Sequence, residues 1–446
     1  MKNKFKLLTS LFLATGLIGY ESTAGGAPPY TLLDINAQND VVLSGMKVRL
    51  RLGGVQDGPQ DRFCTNVGGP VVQKDENGNF LKFIDTSGYK YTYTSTGNPV
   101  TYTSIPVANQ TLERQRVTKQ TVINAWGTIS WTKRLINNDL HNIFPANSPI
   151  LARWDNQRPV KLYTLKKNMQ NNADFESDPT GGSIHFSSLV DMNGKIIGNT
   201  ANDFDIISHE TGHNISNILR PERDLTRPQT GALDESLGDF IALSTALSIN
   251  KTRTQFLKET KGNLRRSSFL SETAESISQA TGFGSHGIRN ALNDFTLDGS
   301  ACEVHDLSRV FTGALYDIFL DAFEEGCPRT WFSYSTDERN WRKQITRVNK
   351  DLRSLVLAAH CFVPYESPSF ADFGKAMYSF ADNNQDYGYL TRFVSGAFEN
   401  RGINIFKPHN NFSVCDQNAR KKHGLTGSKD KSICEVHERL KNSLLN

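Results

Sequence analysis

Apolar residues recur at helical spacing through the second half of the chain, from about residue 204 onward. Residues three or four positions apart lie on one face of an α-helix, so each such segment predicts a helix with one buried side. Pro221 follows the first of these segments, and proline is typical of the position where a helix ends. The predicted helices span residues 203–219, 231–249, 305–325, 338–361 and 368–383.

The first half of the chain combines one helical segment, at 117–139, with strand-like patterns. Residues 25–110 are rich in Gly, Thr, Tyr, Asn and Val and alternate as strands do. Residues 89–103 predict a hairpin around Gly97-Asn98, with an irregular surface loop as the alternative. Strands followed by helices predict an α+β chain with a cleft between the two parts. Further strands are predicted at 150–154, 161–164 and 183–189.

Both ends of the chain differ from the region between them. A Lys-bearing start, the apolar run Leu7 to Ile18 and then Ser22-Thr23-Ala24 predict a signal peptide over residues 1–24. The apolar run is shorter than the ~20 residues that a spanning helix needs, so a membrane anchor is the weaker alternative. Residues 407–446 form a basic, polar tail. We therefore expect a secreted or periplasmic protein with no membrane partner.

The composition indicates which classes of partner the protein can bind and whether its cysteines can form disulfides. The 446 residues are 37% hydrophobic and include 26 Phe, which is ample for a sizeable core. The formal net charge of +4 is too small to indicate nucleic-acid binding. All six cysteines follow the predicted signal peptide, so disulfides are permitted. Cys415 and Cys434 are the favoured pair because they bracket part of the polar tail, and free buried thiols are the alternative.

The most specific chemistry lies in the segment His209-Glu210-Thr211-Gly212-His213. The two histidines are one helical turn apart, so both imidazoles leave the same face and can bind one metal ion. Glu235 follows on the next predicted helix and can supply a third, anionic ligand. Three protein ligands with one open position are typical of a catalytic zinc site. Glu210 can then act as general base towards a water on that metal.

Two further features favour a metal site over the alternative, a solvated helix face with chance spacing. Asp239 lies four residues after Glu235, where it can accept the free ring N–H of a ligating histidine. Gly212 and Gly238 are small enough to let the two helices approach closely around one ion. The sequence therefore predicts one zinc ion per chain at this site.

With these segments the chain resembles the thermolysin-like gluzincins, and the stretch after His213 is similar to the fungalysin branch. Residues 205–213 and 231–239 are close to the family's two zinc signatures, and the 21 residues between His213 and Glu235 are near its spacing. The resemblance implies a two-lobed zincin fold within residues 61–406, preceded by an extension at 25–60. Its β-rich N-terminal lobe would span about 61–203 and its α-helical C-terminal lobe about 204–406, with the active-site helix between them.

The same resemblance implies functions for residues outside the zinc motifs. His305 would stabilise the transition state, and Arg289 would bind the substrate carbonyl. Asn172 and the backbone of Ala173 would hold an extended peptide, and Ile206 would line the pocket for the residue after the cut. The respective alternatives are a helix-start histidine without a function, a surface arginine, a polar turn and a core isoleucine.

Two departures from the family pattern bear on the chemistry. Family members usually carry a tyrosine that supports the oxyanion, but residues 214–234 contain none. Loss of one such donor costs about 100-fold in rate. The family's acidic calcium-binding stretch is also absent after Glu235, where residues 246–253 are apolar and then basic. Calcium is therefore not predicted.

Together these features predict a monomeric, exported zinc endopeptidase that cuts internal bonds of a protein or peptide substrate. The absent tyrosine keeps open a second hypothesis, a catalytically weakened zincin that acts as a binding protein. A zinc aminopeptidase is a third hypothesis, although no acidic exopeptidase motif precedes His209.

Overall fold

The computed structural model describes residues 119–406 with short gaps, together with five strands that precede them. The predicted signal peptide, the basic tail, the Cys415–Cys434 pair and the second arm of the hairpin lie outside the described residues. None of the helices in the described part is both long and apolar enough to cross a membrane. The gaps are 157–159, 164, 167–168, 179–181, 284–286, 301–302, 328–333 and 364–365.

The described residues form a mixed α+β fold in which helix predominates. The helices α1 to α10 are Lys119–Ile143, Pro149–Asp155, Phe204–Leu219, Pro228–Ser248, Asn250–Thr260, Glu275–Ala280, Val304–Gly326, Tyr334–Phe362, Phe370–Asp382 and Thr391–Asn400. The strands β1 to β5 are Leu32–Ile35, Lys47–Gly53, Phe63–Asn66, Phe83–Ile84 and Lys90–Tyr91. The strands β6 to β12 are Lys161–Tyr163, Ala173–Glu176, Ser183–Phe186, Ser188–Val190, Ile196–Asn199, Glu272–Thr273 and Arg289–Asn290.

The strands form five small sheets in the described part of the chain. The sheet nearest the predicted site has β8 at its centre, with β6 parallel on one side and β7 antiparallel on the other. The remaining sheets are antiparallel, in the orders β1-β2-β3, β4-β5, β9-β10 and β11-β12. Strand β7 is therefore an edge strand.

The predicted long helices are confirmed, each within a few residues of its expected ends, as α1, α3, α4, α7, α8 and α9. The predicted strand at 150–154 is wrong, because Pro149–Asp155 is helix α2. The Ser148 hydroxyl accepts a hydrogen bond from the Ile150 amide at 3.1 Å. Pro149 occupies the first turn, where the backbone N–H that proline lacks would have no partner within the helix. Of the predicted hairpin, the described strand Lys90–Tyr91 pairs upstream with Phe83–Ile84.

One buried apolar cluster holds the helices together. Within it, the ring of Phe311 packs against three other phenylalanine rings. The centroid distances are 5.1–5.3 Å, to Phe370, Phe373 and Phe398. Burial of one such side chain contributes roughly 2–3 kcal/mol. Helix α3 contributes its last turns to this cluster, whereas the buried strand residues are not part of it. Helix α3 thus lies between the helical core and the sheet.

Candidate metal centre

Helices α3 and α4 approach each other closely at two glycines. A Cβ atom on Gly212 would lie 2.8 Å from the Cα of Gly238. A Cβ atom on Gly238 would lie 2.7 Å from Nδ1 of the His209 ring. Side chains do not tolerate such contacts, so the predicted need for small residues here is confirmed. The approach brings the two motif histidines of α3 beside Glu235 of α4.

The three predicted ligands converge on one point. Nε2 of His213 lies 3.0 Å from Nε2 of His209. The Glu235 carboxylate oxygens lie 3.5 Å from Nε2 of His209 and 3.6 Å from Nε2 of His213. Ligand atoms of all three residues lie within 4.8 Å of one another, and their side chains are only 7–17% exposed. Two imidazole nitrogens and one carboxylate are a donor set that zinc accepts, so these residues fit one zinc ion.

Each histidine is held from behind by a carboxylate. Nδ1 of His209 lies 3.0 Å from Asp239 Oδ1, and Nδ1 of His213 lies 2.9 Å from Asp234 Oδ2. A ring that donates its Nδ1–H to a carboxylate keeps the Nε2 lone pair free for a metal. Asp239 therefore lies where its spacing from Glu235 predicted it. Asp234 was not predicted, because its contact depends on how α3 packs against α4.

Asp234 has partners of its own. Its Oδ1 atom accepts hydrogen bonds from the Ser216 hydroxyl at 2.6 Å and from Arg223 Nη1 at 2.7 Å. Burial raises the pKa of this carboxyl, but the charges of Arg223 and His213 outweigh burial and hold the pKa well below its usual range. Asp234 is thus a stable anion behind His213.

Arg289 contacts the centre directly. Its Nη1 atom lies 3.0 Å from Glu235 Oε2, and its Nη2 atom lies 2.9 Å from Asp239 Oδ1. The side chain is only 15% exposed, so the surface-arginine alternative is wrong. In this position Arg289 orients two carboxylates of the site, and binding of a substrate carbonyl stays a prediction.

The electrostatics of the site favour a cation between the imidazoles. Burial and the neighbouring Arg289 lower the pKa of His209, but Asp239 and Glu235 outweigh them and raise it to about 10. Burial raises the pKa of Glu235, but the neighbouring histidines outweigh burial and lower it far below its usual range. A divalent ion supplies the positive charge that these carboxylates stabilise.

The ligands lie at the floor of a cleft of about 380 Å³. Of the residues that the sequence identified, only Asp239 does not line it. Glu210 lines the cleft while remaining 6% exposed, and burial raises the pKa of its carboxyl. The other predicted residues in the lining are Asn172, Ala173, Ile206, His209, His213, Glu235, Arg289 and His305. Ile206 is also buried, as the core interpretation expects, and its contact with the residue after the cut stays a prediction.

His305 lies at the first turn of α7 and faces the centre. Its Nε2 atom lies 3.6 Å from Glu235 Oε1, and its Nδ1 atom lies 2.6 Å from Glu303 Oε1. Burial lowers the pKa of His305, but the two glutamates outweigh burial and raise it. Its ring therefore favours the protonated form, which can donate a hydrogen bond towards the cleft.

Asn171 and Asn172, directly before β7, line the cleft and also make backbone contacts within the fold. The Asn172 amide donates to the Ser187 hydroxyl at 3.1 Å, and the Asn172 carbonyl accepts from Ser187 at 2.6 Å and Thr200 at 3.2 Å. The Asn172 backbone is thus bound to the fold. Asn171 has φ of 50°, so the polar-turn interpretation is correct for that residue. Ala173 begins the edge strand.

A search of protein-family models finds no family that matches this chain, and a search of curated proteins finds no related sequence. The interpretation of the site therefore depends on its geometry and on the motifs.

Proposed function

We propose that this chain is a zinc-dependent endopeptidase of the thermolysin-like type, exported by its N-terminal segment. The observation that carries the proposal is the convergence of two imidazole Nε2 atoms and one carboxylate, beside a buried glutamate, on the floor of a cleft. The two-lobed zincin arrangement belongs to the same proposal. Its support is the position of α3 between the sheet and the helical core.

Zinc, when bound by His209, His213 and Glu235, lowers the pKa of its water towards ~7 and polarises a carbonyl group. Glu210 is the general base of the proposed reaction. Because burial raises the pKa of its carboxyl, Glu210 takes up a proton more readily than an exposed glutamate does. The same carboxyl then gives that proton to the leaving amine.

The proposed substrate is an extended peptide that lies along the edge strand β7. Main-chain groups are present in every peptide, so binding by strand addition suits a protease with many substrates. The lining of the cleft also includes apolar residues, namely Ile206, Leu225, Ile277 and Ile288. These residues support a preference for an apolar side chain next to the cleaved bond.

His305 and Arg289 are the cationic side chains proposed to stabilise negative charge on the substrate carbonyl. Donors aimed at a developing oxyanion are each worth about 10²–10³ in rate. No tyrosine occurs between the second histidine and Glu235, and this departure favours a second candidate function. That candidate is a zinc-binding protein with weak or no peptidase activity.

The test is to incubate the purified full-length protein with casein, with and without a zinc chelator, beside Glu210→Gln. Cleavage by the native protein that is lost with chelator and lost in the variant supports the endopeptidase. Stoichiometric zinc without cleavage of any protein or peptide supports the binding protein. Release of N-terminal residues alone would indicate an aminopeptidase, and no bound zinc at all would overturn the proposal.

A further inference from the structure

Each motif histidine is backed by a carboxylate that in turn contacts an arginine. On one side His209 contacts Asp239, and Asp239 contacts Arg289 at 2.9 Å. On the other side His213 contacts Asp234, and Asp234 contacts Arg223 at 2.7 Å. The sequence predicted all three residues of the first chain of contacts, His209, Asp239 and Arg289, but only His213 of the second. The second chain therefore needs its own explanation.

Arg223 is held in place more firmly than a loop arginine usually is. It lies in the connection between α3 and α4, yet its side chain is only 5% exposed and lines the cleft. Its Nε atom donates to the Arg220 carbonyl at 3.0 Å, and its Nη1 atom donates to Asp234. Arg227 in the same connection is 39% exposed and pairs with Asp224 on the surface. Arg223 is thus a buried guanidinium in fixed contacts, as Arg220 is in the same connection, and it is Arg223 that contacts Asp234.

A buried carboxylate needs compensation for the water that it loses. Without Arg223, the Oδ1 atom of Asp234 loses a charged partner at 2.7 Å, so the carboxylate is free to turn away from its hydrogen bond with Nδ1 of His213. That bond fixes which ring nitrogen of His213 carries the lone pair. The effect of Arg223 on the metal centre is therefore indirect, through one intermediate residue.

We propose that Arg223 is a positioning residue of the metal centre and acts through Asp234 to orient His213 for zinc binding. This inference rests on the proposed zinc-dependent function. It gives a reason for an acidic residue directly before Glu235, and it explains why the loop between the two ligand helices carries a buried charge.

The test measures zinc affinity, by competition with a chromophoric chelator, and the absorption spectrum of the cobalt-loaded protein. We expect Arg223→Met to weaken zinc binding by about 10-fold, the lower end of the roughly 10–100-fold loss on removing a direct partner of a ligand, because Arg223 acts through Asp234. The cobalt spectrum should change as well, because the His213 ring is no longer held. Arg227→Met is the matched control, and its zinc affinity should equal that of the native protein.

A double variant separates positioning from simple loss of stability. Asp234→Asn removes the anion that Arg223 compensates, so adding Arg223→Met to Asp234→Asn should not weaken zinc binding further. If Arg223→Met alone fails to fold, this comparison still tests the inference, because weaker zinc binding by the double variant than by Asp234→Asn would overturn it.

Native zinc affinity in Arg223→Met would overturn the inference, as would additive effects of the two substitutions. In both cases the native protein still binds zinc, so the proposed function stands. If the native protein itself binds no zinc, the proposed function fails first and this inference fails with it.

Discussion

Two groups of side chains in the part of the chain that the structure describes have the residue types of a metal site, yet their surroundings differ. In each group, one ligand atom per residue lies within 4.8 Å of the others. We call them the cleft cluster and the sheet cluster, because the second joins β7 and β8. They consist of His209, His213 and Glu235 in the cleft, and of Asp174, Glu176 and His185 on the sheet.

The sheet cluster already contains its own cation. Lys166 Nζ lies 2.7 Å from Asp174 and 2.5 Å from Glu176, and 3.4 Å from Nδ1 of His185. Nδ1 of His185 also lies 2.5 Å from Asp174, so its ring is committed to a carboxylate within the cluster. The lysine ammonium compensates the charges that a metal would otherwise compensate.

The cleft cluster also has a cation, because Arg289 contacts Glu235 at 3.0 Å, but this guanidinium is shared with Asp239, which lies outside the cluster. Asp234 and Asp239 bind the Nδ1 atoms from behind, which leaves both Nε2 atoms directed towards Glu235. Exposure differs too, since Glu176 is 59% exposed whereas Glu235 is 17% exposed. Residue types and spacing alone therefore do not define a metal site. The position of the compensating cation and the partners behind each ligand decide between the two clusters.

The largest expected effect comes from removing one ligand from each cluster. His213→Ala should abolish stoichiometric zinc, a loss well beyond the roughly 10–100-fold that removal of an outer partner costs. His185→Ala should leave one zinc per chain, because Lys166 excludes a metal from the sheet cluster. Elemental analysis of dialysed protein measures both. Loss of zinc in His185→Ala alone would mean that the two clusters have been assigned the wrong way round.

The sequence predicts contacts within a helix far better than contacts between elements. The spacings His209 to His213 and Glu235 to Asp239 are each one helical turn, so the helical period alone places each pair on one face. The contact of Arg223 with Asp234 joins a loop to a helix, and the contact of Lys166 with Asp174 crosses a sheet. No periodicity encodes those distances, and they appear only when the chain is folded.

In residues 150–154, which the sequence predicts as a strand and the structure shows as a helix, two local sequence signals compete. The short apolar run of this segment, broken only by Arg153, is compatible with a strand, but Ser148-Pro149 immediately before it is typical of a helix start. The capping bond and the proline at the first turn decide in favour of the helix. The sequence does not predict helices α5, α6 and α10, since short segments provide few periods from which to recognise a helix.

The next largest effect is expected at the close approach of helices α3 and α4, which the cleft cluster needs and the sheet cluster does not. In Gly238→Ala the new methyl group meets the His209 ring, so we expect a stability loss of about 1–3 kcal/mol and weaker zinc binding. Gly396→Ala is the matched control, because its methyl group meets nothing within 4 Å in helix α10.

The free energy of unfolding of Gly396→Ala should rise by roughly 0.5–1 kcal/mol, because alanine has a higher helix propensity than glycine. Urea unfolding and chelator competition measure the two effects for each variant. A Gly238→Ala protein with native stability and zinc affinity would show that close approach of α3 and α4 is not required.

Removal of Lys166 should make the sheet cluster more similar to the cleft cluster. Lys166→Met should allow the sheet cluster to bind a second zinc ion, more weakly than the first, because its carboxylates lose their cation. Calorimetric titration with zinc after the first site is filled measures the new binding. Lys195→Met, at an exposed position of the β9–β10 hairpin, is the control and should bind one zinc. A single zinc in both variants would show that the sheet cluster lacks metal-binding geometry even without the lysine.

The smallest expected effect is a pH-dependent stability term in the sheet cluster. Burial raises the pKa of Asp174, but its hydrogen bonds with His185 and Lys166 outweigh burial and lower it. The unfolded chain therefore takes up a proton at this residue near pH ~4, while folded Asp174 is still ionised. The stabilisation is complete above that pH and is lost as the pH falls through the lower folded value.

Asp174→Asn should accordingly reduce the free energy of unfolding at pH 7 by about 1 kcal/mol, the scale of a partly exposed ion pair. The difference from the native protein should shrink as the pH falls below ~4, because Asp174 of the native protein then becomes neutral too. Urea unfolding in the presence of chelator measures it without a contribution from bound metal. Glu176→Gln is the control, since it loses the same lysine partner at a more exposed position and should cost less. If the free energy of unfolding of Asp174→Asn differs from that of the native protein by the same amount down to pH ~2, Asp174 stabilises the fold by packing and not by its charge.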